Sequence, residues 1–193
     1  MSELFPLIGF VFLGLFSPGP NVILITASGA RFGIQRTVPH VIGVALGVGV
    51  IAAVTGIGIG TLMAAQPGLA IVLMVVASFW ILWMAYNLWR ADPATPKQND
   101  RPFSFVEAVL FQWVNPKVWA VALSATAYVA TYPPLQQAGT LAAIFSTLNL
   151  GVGTFWAVAG TLLSYLLTNP AAWRIFMRAM ALALAGFSVL VFL

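Results

Sequence analysis

Cysteine is absent from this chain of 193 residues, which removes disulfides, thiolate metal sites and a cysteine nucleophile together. Charge is nearly absent as well. Asp, Glu, Lys and Arg make up 6% of the residues, the four acids being Glu3, Asp92, Asp100 and Glu107, and His40 is the single histidine. A metal centre needs converging His, Cys, Asp or Glu ligands, and a hydrolytic site needs a nucleophile beside a base; this inventory supplies neither. No metal, no cofactor and no enzymatic activity are therefore expected. Neither Lys97 nor Lys117 closes a GxxxxGK[ST] phosphate loop, and there is no polar domain to hold a nucleotide, so ATP is not an expected energy source. Eight basic residues and a net charge of +4 are too thin for a nucleic-acid surface.

What the chain has is apolar surface. Hydrophobic residues make up 61% of it and the mean hydropathy is +1.00. That composition belongs in a lipid bilayer rather than in water. About 20 apolar residues cross roughly 30 Å of hydrocarbon. Six such stretches can be read: Leu4 to Gly29, Val38 to Ala65, Leu69 to Trp89, Phe103 to Thr131, Leu135 to Leu167 and Ala172 to Leu193. The N-terminal segment lacks a basic n-region and is read as the first span, not as a cleaved leader. Between the spans lie Arg31 to Arg36, Gln66-Pro67-Gly68, the polar run Arg90 to Arg101, Tyr132-Pro133-Pro134 and Thr168-Asn169-Pro170. Arg31, Arg36, Arg90, Lys97, Arg101, Arg174 and Arg178 all fall at the odd-numbered connections. The positive-inside rule then places those connections in the cytoplasm and both termini outside.

Two spans carry a proline in mid-course. One reads LFSPGPNVILI from Leu15 to Ile25, the other FQWVNPKVW from Phe111 to Trp119. Proline removes an N–H donor and clashes with the preceding turn, so each span is expected to split into two half-helices. Proline also suits the first position of a new helix, with Ser17, Gly19 or Asn115 as N-caps. Each second half-helix would begin at mid-membrane with free N–H groups and the positive end of its dipole, which attracts an anion. Lys117 lies near the bilayer centre, where a lysine costs about 2.5 to 3.5 kcal/mol and needs a polar cavity or a partner. Pro18, Gly19, Pro20, Asn21, Asn115, Pro116 and Lys117 are thus the candidate substrate-binding residues. The plainer alternative is a pair of kinks that only shape packing.

Placing Pro20-Asn21-Val22 over Pro116-Lys117-Val118 gives an offset of 96 residues (116 minus 20), close to half the chain. Three spans on either side of the midpoint make the halves run in opposite directions, the inverted-repeat plan of many secondary transporters. The expected fold is an all-α membrane protein in one integral domain, with repeats over about 1–97 and 98–193 and spans 1 and 4 interrupted at mid-membrane.

These residues resemble the LysE-type amino-acid exporters, the family of the lysine exporter and the homoserine/threonine-resistance branch. Gly14 with Pro18-Gly19-Pro20-Asn21 is similar to its N-terminal PGP signature, Ser28 to Gly33 with Gly43 and Gly47 to its small-residue loop and second span, and Asn115-Pro116-Lys117 to its NPK element. Ala108 stands where the resemblance implies a glycine. The resemblance implies a secondary transporter of the bacterial cytoplasmic (inner) membrane that exports small amino acids or close derivatives, driven by an ion gradient. A deep acid to bind a cationic side chain is missing, so the substrate is expected to be a small neutral zwitterion of the threonine or homoserine type, with Asn21, Gln112 and Asn115 suited to its polar groups. The rival readings are an exporter of another solute such as a cation, disfavoured by the central lysine, and a non-transporting membrane scaffold subunit, which leaves that lysine unexplained.

Other residues leave alternatives open. Glu107 is the candidate for proton coupling, and equally an interfacial carboxylate paired with Arg101. His40 reads as an interfacial residue before a relay. Glu3 is placed at the outer surface, and Asp92 and Asp100 in the solvated loop. Gly43, Gly47, Gly49, Gly56, Gly58 and Gly60 allow close approach of another helix, either of this chain or of a second copy in a homo-oligomer. Trp80, Trp83, Trp89 and Trp173 read as interfacial anchors, while Trp113 and Trp119 line the site or pack the core. Asn149 and Thr154 are polar at depth.

Overall fold

The computed structural model describes residues 4–58, 67–91 and 101–190. Glu3, the end of the second span with Gly60 and Gln66, and the acids and lysine of the polar run (Asp92, Lys97, Asp100) lie outside the described residues. Within them the regular structure is all helical. The elements are α1 (Leu4–Phe16), α2 (Pro20–Gly56), α3 (Pro67–Trp89), α4 (Phe105–Val114), α5 (Pro116–Ala125), a 3₁₀ turn (Thr126–Val129), α6 (Pro134–Leu166) and α7 (Pro170–Leu190).

α1 stops at Phe16 because Pro18 cannot donate to a further turn. Its last carbonyls are taken locally, Leu13 O by Ser17 N (3.0 Å) and Gly14 O by Ser17 Oγ (3.0 Å). After an extended Gly19, Pro20 opens α2 at a first-turn position that needs no N–H donor. The stretch around Pro116 divides the same way. Ser104 and Glu107 form a reciprocal capping box that starts α4, Asn115 leaves the helical region, and Pro116 starts α5.

The 37-residue α2 is not one straight rod. Gly33 has φ 75° and ψ 166°, a conformation essentially confined to glycine. Ser28 Oγ lies 3.3 Å from His40 Nδ1 although the two are 12 residues apart, a separation of about 18 Å along a straight helix. The chain therefore doubles back at Gly33. Where the sequence suggested a connection from Arg31 to Arg36, a single residue makes the reversal and helix continues on both sides of it.

The two legs of α2 pack on α6 in opposite senses. Ile25 and Gly29 meet Gly153 and Ala157 in step, whereas Val41, Gly49 and Gly56 meet Gly153, Ser146 and Ala138 in reverse order. α4 runs parallel to the second leg, Gly43 facing Phe105 and Ala108, and Gly47 facing Val109 and Gln112. A Cβ on Gly29 would run into the Ala157 carbonyl oxygen, and one on Gly160 into that of Thr26, so these glycines let the backbones touch. The close partners of the second-leg glycines Gly43, Gly47, Gly49 and Gly56 are thus helices of the same chain.

Two apolar clusters follow. Leu7, Val11, Val44, Val48, Ile51, Leu141 and Phe145 unite α1, the second leg and α6. Ile23, Leu24, Ile81, Met84, Phe111, Met177 and Leu184 unite the first leg with α3, α4 and α7. The outside is apolar as well: Phe5, Phe79, Leu135, Tyr165, Leu166 and Ile175 are each more than two thirds exposed. A surface of that kind is matched to lipid. Among the described residues, three helices are by themselves long and apolar enough to cross a membrane: Pro20–Gly56, Pro134–Leu166 and Pro170–Val189. Leu4–Phe16 and Phe105–Val114 are too short alone because each is one piece of a divided stretch.

Candidate functional site

The two helix breaks meet across a cavity. Its wall includes Gly14, Gly19, Asn21, Asn115, Lys117, Val121, Asn149 and Trp156. Its atom-free space, mouth included, is about 410 Å³, but only about 20 Å³ admits the centre of a water molecule. A water needs about 10 to 15 Å³ by that measure, so this conformation is nearly closed.

Of the seven residues proposed from the sequence, Gly19, Asn21, Asn115 and Lys117 line the cavity. Pro18, Pro20 and Pro116 do not; they set the helix ends that present the others. Glu107 is also outside it. Its carboxylate accepts two bonds from the Arg101 guanidinium (2.6 and 2.7 Å) and bonds from Ser104 N and Oγ (2.8 Å each). Arg101, beyond the apolar stretches, has its guanidinium pKa raised further above the ordinary arginine value by the bonds to Glu107. His40 is buried beside Ser28, its ring 5.2 Å from that of Phe103.

Lys117 sits in the first turn of α5, and its ammonium reaches across to the end of α1. Nζ donates to the Ser17 carbonyl, to Ser17 Oγ (2.9 Å) and to the Pro18 carbonyl (3.2 Å). The sequence reading emphasised the positive starts of α2 and α5. The carbonyls of Ser17 and Pro18, just past the C-terminal end of α1, supply this lysine with partners that no local pattern suggested. Gly19 leaves room for this path: a Cβ there would lie 2.7 Å from Lys117 Cδ and 2.9 Å from Nζ, and the lysine would have to shift.

Asn21 and Gln112 form a reciprocal amide pair. Asn21 Nδ2 donates to Gln112 Oε1 (2.8 Å), and Gln112 Nε2 donates to Asn21 Oδ1 (3.2 Å) and to Ala108 O (2.8 Å). Gln112 is wholly buried, so the pair staples the start of α2 to α4. Asn115 Nδ2 lies 3.5 Å from Gln112 Oε1 at the edge of this network. Neither Gly19 nor Asn115 gives its helix a side-chain cap, which leaves the first N–H groups of α2 and α5 without one. Trp113 and Trp119 pack on each other at 6.2 Å beside the site, without lining it. Trp156 does line it and was not singled out by the sequence, because an aromatic inside an apolar helix has no distinguishing pattern.

A cavity at two broken helix ends, holding a lysine and amides, can receive a carboxylate and an ammonium together. Among the described residues no cluster of three His, Cys, Asp or Glu is placed to hold a metal ion. The LysE type translocator family model matches residues 12–193. The chain belongs to the LysE type translocator family. Relatives include the cysteine/O-acetylserine efflux protein of Salmonella paratyphi A, 27% identical over 157 residues, which cover 79% of this chain and 80% of that one. The protein of the same name from Klebsiella pneumoniae is 27% identical over 159 residues, 79% of each chain. A membrane protein of Pseudomonas aeruginosa is 29% identical over 120 residues, 57% of this chain and 55% of that one. No solved structure matches the chain. This translocator is thus an integral membrane transporter of the amino-acid efflux type.

Proposed function

We propose that this translocator exports small zwitterionic amino acids or close derivatives, of the threonine and homoserine type, across the cytoplasmic membrane, and that Lys117 receives their carboxylate. The observation that carries the reading is the placement of Lys117 and Asn115 in one cavity where α1 meets α2 and α4 meets α5. The ammonium rests on the Ser17 and Pro18 carbonyls just past α1; a substrate carboxylate offers it a full charge in their place. The names of the relatives, cysteine and O-acetylserine efflux proteins, widen the candidates to other short amino acids with a polar side chain. A cationic solute fits poorly beside Lys117.

The topology belongs to the same proposal: six spans, both termini outside, and two inverted halves divided near residue 97. It is supported by the alternating directions, with the first leg of α2 parallel to α6 and the second leg parallel to α4. It is supported also by the gathering of basic groups at one end, Arg31 and Arg36 at the hairpin and Arg178 over Trp89 at 5.1 Å. Coupling to the proton gradient completes it, with Glu107 as the titrating candidate once released from Arg101. The test is counterflow of single amino acids in proteoliposomes, with and without an imposed proton gradient. Uptake above empty vesicles and its stimulation by the gradient are expected; no counterflow across a panel of short neutral amino acids refutes the reading.

A further inference from the structure

Two buried side-chain atoms among the described residues have no hydrogen-bond partner, Asn115 Oδ1 and Trp156 Nε1. Both residues line the same cavity, although one lies at the break between α4 and α5 and the other well inside α6. Asn115 is only 1% exposed. Buried polar atoms are normally paired with protein, water or ligand, and leaving one unpaired is costly. One is an acceptor without a hydrogen to receive, the other a donor without an acceptor. Together with the Lys117 ammonium they make three different demands on one guest.

Resting on the exporter reading, we infer that Trp156 is a specificity-determining residue: its indole N–H donates to an oxygen on the substrate side chain, while Asn115 Oδ1 accepts from the substrate ammonium. The assignment follows by elimination among the groups present. The carboxylate goes to the cation, Lys117. The ammonium can only donate, so it goes to the free acceptor. The indole can only donate, so it selects a guest whose third polar group accepts, such as a hydroxyl or an ester carbonyl. The amides named from the sequence as partners for such a group are less available, since Asn21 and Gln112 are spent on each other. An alkyl side chain of the same size would fill the space and leave the indole unpaired. Sites that hydrogen-bond a substrate group discriminate strongly against the analogue that lacks it.

Homoserine and norvaline are the probes, because a terminal hydroxyl in one replaces a methyl in the other. Half-saturating concentrations for counterflow of each are measured in the parent and in Trp156→Phe. Phenylalanine keeps a ring against Phe16 and Phe155, which lie 5.3 Å from Trp156, and removes only the donor and some area. The parent should favour homoserine by about tenfold or more, and the variant should lose that preference, its loss falling on homoserine far more than on norvaline. A parent that takes both equally well overturns the assignment whatever the variant does, and leaves the exporter reading standing. Equal losses on both probes in Trp156→Phe overturn it too, marking the ring as packing or its N–H as the partner of a resident water. If the parent counterflows neither probe nor any other amino acid of the panel, the exporter reading fails and this assignment fails with it.

Discussion

Replacing Lys117 with methionine removes the ammonium and keeps an unbranched side chain of similar length, so the variant separates the charge from the shape. The structure gives both sides of the balance. Taking a lysine out of mid-membrane relieves about 2.5 to 3.5 kcal/mol on insertion scales. Against this, Nζ gives up the Ser17 and Pro18 carbonyls and Ser17 Oγ. Hydrogen bonds to a charged group contribute about 1.5 to 3 kcal/mol each when buried. Ser17 Oγ keeps its bond to the Gly14 carbonyl (3.0 Å), and the desolvation of the ammonium offsets much of what its bonds contribute. The two sides nearly cancel, and Lys117→Met should change folding stability by less than about 2 kcal/mol in either direction. For a chain of this size that is a shift in Tm of less than about 8 °C. Transport should fall at least about a hundredfold, because the carboxylate then meets only dipole ends. The assay pairs thermal unfolding in detergent with counterflow in proteoliposomes, and Lys117→Arg, which keeps the charge in a wider shape, should retain part of the rate. A Lys117→Met protein that melts like the parent and transports at the parental rate would refute the reasoning, leaving the lysine as nothing more than the cap of α1.

Gly33→Ala places a Cβ at φ 75°, ψ 166° and should cost about 1 to 3 kcal/mol, seen as a lower Tm, whereas Gly139→Ala, at an open helical position, should be neutral or stabilising. Asn21→Leu and Gln112→Leu should each destabilise, and the double variant should cost clearly less than their sum, because each single change orphans the other amide; additive unfolding energies would show that the pair is not coupled. Single cysteines label without background in this cysteine-free chain. With the proposed orientation, Gln35→Cys should react only from the cytoplasmic side and Gln136→Cys only from outside, and the reverse pattern would invert the topology.

Much of the helical layout could be read from the sequence because prolines and polar runs mark it. Pro20, Pro116, Pro134 and Pro170 each occupy the first position of a helix, and the apolar stretches end within a few residues of the helix ends at Trp89 and Leu166. The reversal at Gly33 was less legible, since glycines are common in apolar helices and only this one takes up a positive φ within α2. The cavity was half legible. A lysine between two breaks is conspicuous by its cost, and Asn115 and Asn21 flank the prolines. What it touches is another matter. The Ser17 and Pro18 carbonyls around Nζ, the amide pair and Trp156 all depend on pairings between residues about 40 to 100 positions apart, and no local pattern encodes them. Glu107 shows the opposite case, where a Ser104-x-x-Glu107 spacing carries a capping-box signature that explains the acid locally.

A one-residue turn has no slack. The first leg of α2 carries Gly19 and Asn21 at its beginning, and it cannot slide along its axis without dragging the second leg through Gly33. That second leg is wedged at Gly43 and Gly47 into α4 and at Gly49 and Gly56 into α6, where backbone meets backbone. Both legs, α4 and α6 are therefore held together at close range. α1 is joined to this hairpin by Ser17, Pro18 and Gly19, outside any helix. The chain therefore connects the hairpin to α1 through three residues only, and Lys117 fastens two of them, Ser17 and Pro18, to the start of α5.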